Sequence, residues 1–313
     1  TASSGYGEAA NHALGITGGY DSTSSVVSIG PNRVSYLLNL RGPSEPIETA
    51  CSSSLVAIHR ALRAIQSGDC EQALVGGVNT LVTPWGHLSF SKAGMLSEDG
   101  RCKTFSKEAN GYVRGEGVAV LFLKKLSAAE RDGDHIHGLI RGSSENHGGR
   151  ANSLTAPNPK AQAEVIKDAY RDARIDPRSV SYIEAHGTGT PLGDPIEIDG
   201  LKMAFADLYE EVPPGDINHS DAHCAIGAVK TNVGHLELAA GVAGVVKVLL
   251  QMKHGLLAPS LHCREVNPYI QLDGSPFYLV NEPRPWNRLR DRQGRELPLR
   301  AGVSSFGFGG VNA

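Results

Sequence analysis

The segment 238-LAAGVAGVVKVLL-250 constrains the fold of this chain more than any other. It lies within 236–255, a helix whose sides are nearly all apolar, so it needs protein neighbours all round. Lys247 interrupts the run, which falls short of the roughly 20 residues that a membrane span requires. The helix therefore belongs inside a core, with Gly241 and Gly244 letting its backbone approach a neighbour closely. Layers must lie beyond it, and 313 residues suffice for one large domain or two related halves.

The rest of the chain supplies such layers by alternating extended and helical segments, the pattern of an α/β protein. In the first half 35–40 and 44–50 read as extended. Leu55, Ile58, Leu62 and Ile65 then mark a helix stopped by Gly68. An apolar strand at 72–81 and a buried strand at 118–126 flank 91–117, a polar, glycine-rich loop placed near function. Polar 127–134 is the junction, dividing the chain into 1–130 and 131–313. The second half reads as strand 136–143, helix 160–174, strand 180–188, helix 195–209 and strand 226–232, which holds Lys230 and feeds the buried helix. Each half runs a strand into a small-residue helix with a reactive residue at the join, Cys51 and then His235. That is a hint of internal duplication.

Composition narrows the function. Hydrophobic residues make up 40% and charged residues 20%, ordinary for a soluble enzyme-sized protein. A net charge of −3 recommends neither nucleic acid nor an anionic membrane, and 6% aromatics leave few platforms for stacking bases. The five cysteines are widely spaced and form no C-x-x-C pair, which argues against a disulfide framework and a Cys-rich zinc site. A reducing cytoplasm is the default. The first residues carry neither an initiator Met nor a leader pattern, and 304-SSFGFGGVNA-313 stops inside a strand and turn, so the chain reads as an internal piece of something longer.

Four stretches concentrate reactive side chains. In 48-ETACSSSLVAIHRA-61, Cys51 sits near a helix N-terminus, where unpaired N–H groups and the dipole favour a thiolate and lower the thiol pKa. The alternative is a buried cysteine that merely packs. In 184-EAHGTGTPLGDPIE-197, His186 ends a strand ahead of glycines that admit a ligand and of Thr188 and Thr190, which offer hydroxyls. Its spacing is not that of a nucleotide loop. In 229-VKTNVGHLELAAG-241, His235 opens a helix, where the dipole keeps an imidazole neutral and able to donate to a developing oxyanion. In 302-GVSSFGFGGVNA-313, glycines beside phenylalanines suit a backbone amide pointed into a cavity, or an ordinary turn. A metal reading of His219, His223 and Cys224 is weaker than a solvated loop there.

Together these stretches resemble the motifs of β-ketoacyl synthases, and more narrowly the ketosynthase domains of modular polyketide synthases. The likeness extends to 39-NLRGPS-44, 97-SEDGRCKTF-105, 111-GYVRGEG-117 and 154-LTAPNPKAQ-162, nearly the whole chain. It implies the thiolase-like fold, a five-layer αβαβα domain of two similar halves, here lacking its opening strands and stopping short of its last. Cys51 matches the acyl-accepting nucleophile, and His186 and His235 the two catalytic histidines. Lys230 matches the active-site lysine and Glu197 the acidic residue that supports it. Thr188 and Thr190 match contacts to the pantetheine arm. Phe308 matches the residue whose N–H, with that of Cys51, binds the thioester oxygen. The style of 17–36, 42–54 and 142–153 is closest to synthases served by a separate acyltransferase.

The resemblance implies decarboxylative condensation of an acyl chain on Cys51 with a malonyl unit, both delivered on the phosphopantetheine arm of an acyl carrier protein. No bound metal or redox cofactor is expected. A homodimer joined through 44–50 is. The competing readings are a thiolase, which would need a second cysteine after Cys263, a cysteine hydrolase, which would leave Lys230 idle, and a relative that only relays acyl chains. Such relay domains lack the histidine that His186 supplies.

Overall fold

The structure is a computed structural model that describes residue 9, residues 26–213, residue 217 and residues 222–313. The first half opens with helix α1 (Ile29–Leu37), then α2 (Ser53–Ser67), strand β1 (Gln72–Asn79), α3 (Trp85–Lys92), β2 (Gly117–Lys124) and α4 (Leu126–Asp132). The second half runs β3 (Asn146–His147), α5 (Pro159–Ala173), β4 (Tyr182–Glu184), α6 (Gly193–Glu211), β5 (Cys224–Gly227), α7 (Lys230–Val233), α8 (Ala240–His254), β6 (Leu256–Leu257), β7 (Phe277–Leu279), β8 (Arg284–Pro285), β9 (Ala301–Val303) and β10 (Val311–Asn312).

The core of the second half is a parallel sheet in the order β7-β5-β4-β9. Its strands are largely apolar because both faces are covered, with Tyr182, Ala225 and Ile226 fully buried, and the one buried charge of β4, Glu184, is paired with Lys247. Helices α5 and α6 pack together against this sheet, with Val165, Ile166, Ile198, Leu201 and Phe205 joining Ile183 and Ile226 in one cluster. Pro159 at the start of α5 and the Asn158 side chain, which accepts from the N–H of Lys160 and Ala161, fix where that helix begins.

Helix α8, preceded by a short 3-10 turn at Glu237–Ala239, is buried along Gly241, Val242, Gly244 and Val248 but not on all sides as its sequence suggests, since Leu250 is half exposed. It crosses α2 at van der Waals distance. A Cβ on Gly241 would sit 2.5 Å from Leu55 Cγ, and the Val242 N–H donates to Ser54 Oγ at 3.0 Å. Helix α2 ends at Gly68, which takes the left-handed conformation (φ 90°) that glycine adopts without strain. No helix among the described residues is long and apolar enough to cross a membrane.

Several segments depart from the sequence expectations. Residues 35–37 are helical, the end of α1, which buries none of its residues and so shows no apolar stripe. The stretch 44–50 forms an isolated bridge at Thr49 and otherwise no strand. Strand β2 is half exposed: Val118, Val120 and Phe122 are 59–68% accessible on the outer face of its pairing with β1. The polar junction is the helix α4. Residues 136–143 form no strand; Gly142 lies so close to the α5 backbone that a Cβ would overlap Ala169 O. Lys230 opens α7 rather than lying in a strand. His219 lies outside the described residues.

Candidate active site

Helix α2 delivers Cys51, which stands just before its first turn. The β4 end delivers His186, and the approach to α8 delivers His235. The reactive atoms of these three side chains lie within 4.8 Å of one another. Cys51 and His186 are partly buried and His235 is fully buried.

Each imidazole is committed to one tautomer. His235 Nδ1 accepts the Glu237 N–H at 2.9 Å, and His186 Nδ1 accepts the Phe306 N–H at 3.3 Å. A nitrogen that accepts carries no proton, so in both neutral rings the proton sits on Nε2. Burial holds both rings well below the usual histidine pKa, and the Lys230 charge pushes them further down. Both are therefore neutral donors at pH 7. Metal binding at Nε2 would force each proton onto Nδ1, against a backbone N–H. The cluster is built to donate rather than to coordinate.

Lys230 and Glu197 act on one peptide group. Lys230 Nζ donates to the His186 carbonyl, while Glu197 Oε1 accepts the His186 N–H at 2.6 Å and Oε2 the Gly187 N–H at 2.8 Å. No ion pair joins the two side chains among the described residues, so Glu197 meets the peptide that Lys230 also grips rather than the ammonium itself. Burial pushes the Glu197 carboxyl up to about 7 and the neighbouring Asp194 up to about 6. Burial lowers the Lys230 ammonium, with Glu184 and Glu197 opposing.

The thiol differs from its sequence expectation. Burial pushes Cys51 up to about 11, outweighing the Lys230 charge and the backbone N–H groups of Phe308 and Cys51 that face the sulfur and pull it down. The helix end does not prevail over desolvation, and the resting group is a thiol. The two N–H groups that face the sulfur are those matched to the thioester oxygen. Ser305 Oγ steadies the site by donating to the Cys51 carbonyl at 2.6 Å.

Residues 1–129 match the N-terminal domain of the β-ketoacyl synthases, and residues 137–264 match their C-terminal domain. The chain belongs to the β-ketoacyl synthase family. It is 68% identical over 286 residues to the polyketide synthase PksN of Bacillus subtilis (strain 168), covering 91% of this chain and 5% of that protein. It is 52% identical to PksL of the same organism, over 90% of this chain and 6% of that one. Among solved structures, the oxazolomycin ketosynthase domain OzmH KS7 of Streptomyces albus JA3453 matches with a TM-score of 0.87 and 45% identity, over 92% of this chain and 48% of that one. The ketosynthase from module 6 of the bacillaene synthase of Bacillus subtilis 168 matches with a TM-score of 0.86 and 44% identity, over 95% and 52%. The ketosynthase fold is thiolase-like, and this chain spans about half the length of the solved ketosynthases it matches.

Other site groups left no periodic signal in the sequence. Phe306 orients His186 through its N–H and lies 5.7 Å from that ring. Tyr112 packs edge-on against His235 at 5.1 Å. Asp194 accepts the N–H of Phe105 and Gly189, tying the 97–106 loop to the His186 loop. These residues work through backbone amides and ring edges, which only the folded chain brings together. Thr188 and Thr190 lie on the loop from His186 to α6, their hydroxyls 3.2 Å apart, and Thr190 Oγ1 also accepts the Gly193 N–H. Phe308 lies edge-on to Phe90 and is 48% exposed.

Proposed function

We propose that this chain carries the condensing centre of a β-ketoacyl synthase working in polyketide assembly, its two halves meeting near residue 130. The observation that supports this best is the pair of neutral imidazoles, both fixed as Nε2–H donors beside Cys51. One donor would suit many hydrolases. Two on one oxygen suit an enolate.

The Cys51 sulfur attacks an acyl thioester on a carrier-protein phosphopantetheine arm. The C–S bond to the pantetheine breaks, and the Cys51 proton leaves with the departing thiol. The tetrahedral oxyanion rests on the N–H groups of Cys51 and Phe308. A malonyl thioester then enters along Thr188 and Thr190. Its carboxylate carbon–carbon bond breaks, CO2 departs, and the electron pair forms an enolate whose oxygen accepts from His186 and His235. Each such donor is worth about 2.7–4 kcal/mol in the transition state. The enolate carbon attacks the Cys51 thioester, the new C–C bond forms, and Cys51 is expelled and takes up a proton. Its raised pKa favours the neutral acylated and thiol forms over a free thiolate. Lys230 and Glu197 keep the His186 peptide in place throughout.

The partners on this reading are acyl carrier proteins, a malonyl-type extender and a second copy of the domain, in the cytoplasm, with the acyltransferase supplied separately. The test is mass analysis of the full-length protein after addition of an acyl-pantetheine thioester and then malonyl-loaded carrier protein. Wild type and His186→Ala acylate at Cys51, Cys51→Ala does not, and only wild type yields the β-ketoacyl product. Acylation without carbon–carbon bond formation in wild type would overturn condensation in favour of acyl relay.

A further inference from the structure

His235 is gripped by the 113–115 segment and by its own successor. Its N–H donates to the Val113 carbonyl at 2.7 Å, and its carbonyl accepts the Gly115 N–H at 2.8 Å. Between those two residues stands Arg114, whose Nε and Nη2 donate to the two Glu237 carboxylate oxygens at 2.5 and 3.0 Å. Glu237 in turn presents the N–H that occupies His235 Nδ1, and does so at φ 47°, a left-handed conformation that side chains beyond glycine avoid. An external hold on its side chain would keep the residue there.

The seating of the pair is unlike that of a surface ion pair, which contributes little. Both side chains are largely buried, at 11% and 15% exposure. The guanidinium lies 5.2 Å over the Phe90 ring, and Gly86 leaves the room it needs, since a Cβ there would overlap Nη1. Arginine's planar fork makes the contact bidentate and directional.

We infer that Arg114 and Glu237 are positioning residues that hold His235 as an Nε2–H donor, so that they serve decarboxylation rather than loading of Cys51. The inference rests on the role given to His235 above. Without the clamp Glu237 relaxes, its N–H turns from Nδ1, and the ring can move its proton to Nδ1. It then offers a lone pair to an enolate oxygen that needs a donor.

The test uses Glu237→Ala and the double variant Arg114→Met with Glu237→Ala, which leaves no lone buried charge, in the full-length protein. Cys51 acyl occupancy is read by mass, and CO2 release from a malonyl thioester is read after acylation. CO2 release is expected to fall roughly 100-fold in both, the low end of what one lost oxyanion donor costs, with acyl occupancy within about threefold of wild type. Parallel loss of both steps in the double variant would make the pair merely structural and overturn the inference. So would an unchanged ratio of the two. His235→Ala runs alongside: if it still releases CO2 at the wild-type rate, the role of His235 fails, and this inference with it.

Discussion

Glu197→Gln separates what this carboxylate holds from what its charge costs. In the wild type both oxygens are used, one on the His186 N–H and one on the Gly187 N–H. Glutamine keeps one acceptor and turns an NH2 toward the other donor, leaving a buried N–H unpaired at about 1–3 kcal/mol. The charge works the other way. Burial raises the carboxyl from 4.5 to about 7, so between those values the folded protein keeps a proton that the unfolded chain has released. Stability therefore falls as pH rises through that window. At 1.36 kcal/mol per pK unit the loss through this group is about 3 kcal/mol, complete above pH 7. The variant lacks this loss. Below about pH 5 it should be less stable than wild type by about 1–3 kcal/mol, and by about pH 8 the deficit should close or reverse. Thermal unfolding midpoints of both proteins at the two pH values measure this, because titrations shared by both cancel in the difference. A deficit constant with pH would refute the raised carboxyl, and one that widens with pH would mean a lowered one. Displacement of the His186 peptide should also slow decarboxylation about 10–100-fold.

Three further outcomes are expected. Gly241→Ala overpacks the α2–α8 crossing against Leu55 at about 1–3 kcal/mol, more than its helix-propensity gain of about 1 kcal/mol, so the melting point drops and Cys51 acylation slows; an unchanged melting point would count against so tight a crossing. Gly68→Ala has open space around its Cβ but φ 90°, so a stability loss of about 1 kcal/mol, read as a lower melting point, should come with acylation unaltered. Lys230→Met removes the charge that opposes burial at Cys51, so alkylation of that thiol near pH 8 should be slower than in wild type, whose own rate keeps rising above pH 9; faster alkylation in the variant would reverse the sign assigned to Lys230.

Much of the site was legible in the sequence because its reactive residues sit where a strand or loop meets a helix, and those joins carry glycine and small-residue punctuation. Cys51, His186 and His235 are brought together as expected from their motifs. Burial was not legible in the same way. A helix-start position argues for a lowered thiol pKa at Cys51, but desolvation depends on what His235, Phe308 and the His186 loop bring around the sulfur. How Glu197 and Lys230 are arranged was not legible for a related reason: sequence can nominate an acid and a base, yet which peptide lies between them is a matter of tertiary packing. The 136–143 segment has strand-like residues, but Gly138 and Gly142 let it lie against neighbouring helices instead of pairing. Exposed α1 offered no apolar period to read.

The direct seating of α2 on α8, Leu55 against Gly241 and Ser54 Oγ on the Val242 N–H, divides the molecule into a part that can vary and a part that cannot. The nucleophile's helix and the helix that follows His235 are joined directly, while Tyr112 lies edge-on to His235 and the Phe308 N–H faces the Cys51 sulfur. What can vary is therefore side chain and not backbone: the 113–115 backbone grips His235 and the Phe308 N–H meets the sulfur, so both must stay. Exchange of the half-exposed Phe308 side chain alone, as in Phe308→Leu, keeps its backbone N–H and the α2–α8 pair, and should thus alter which chains are accepted while retaining the bond-forming step.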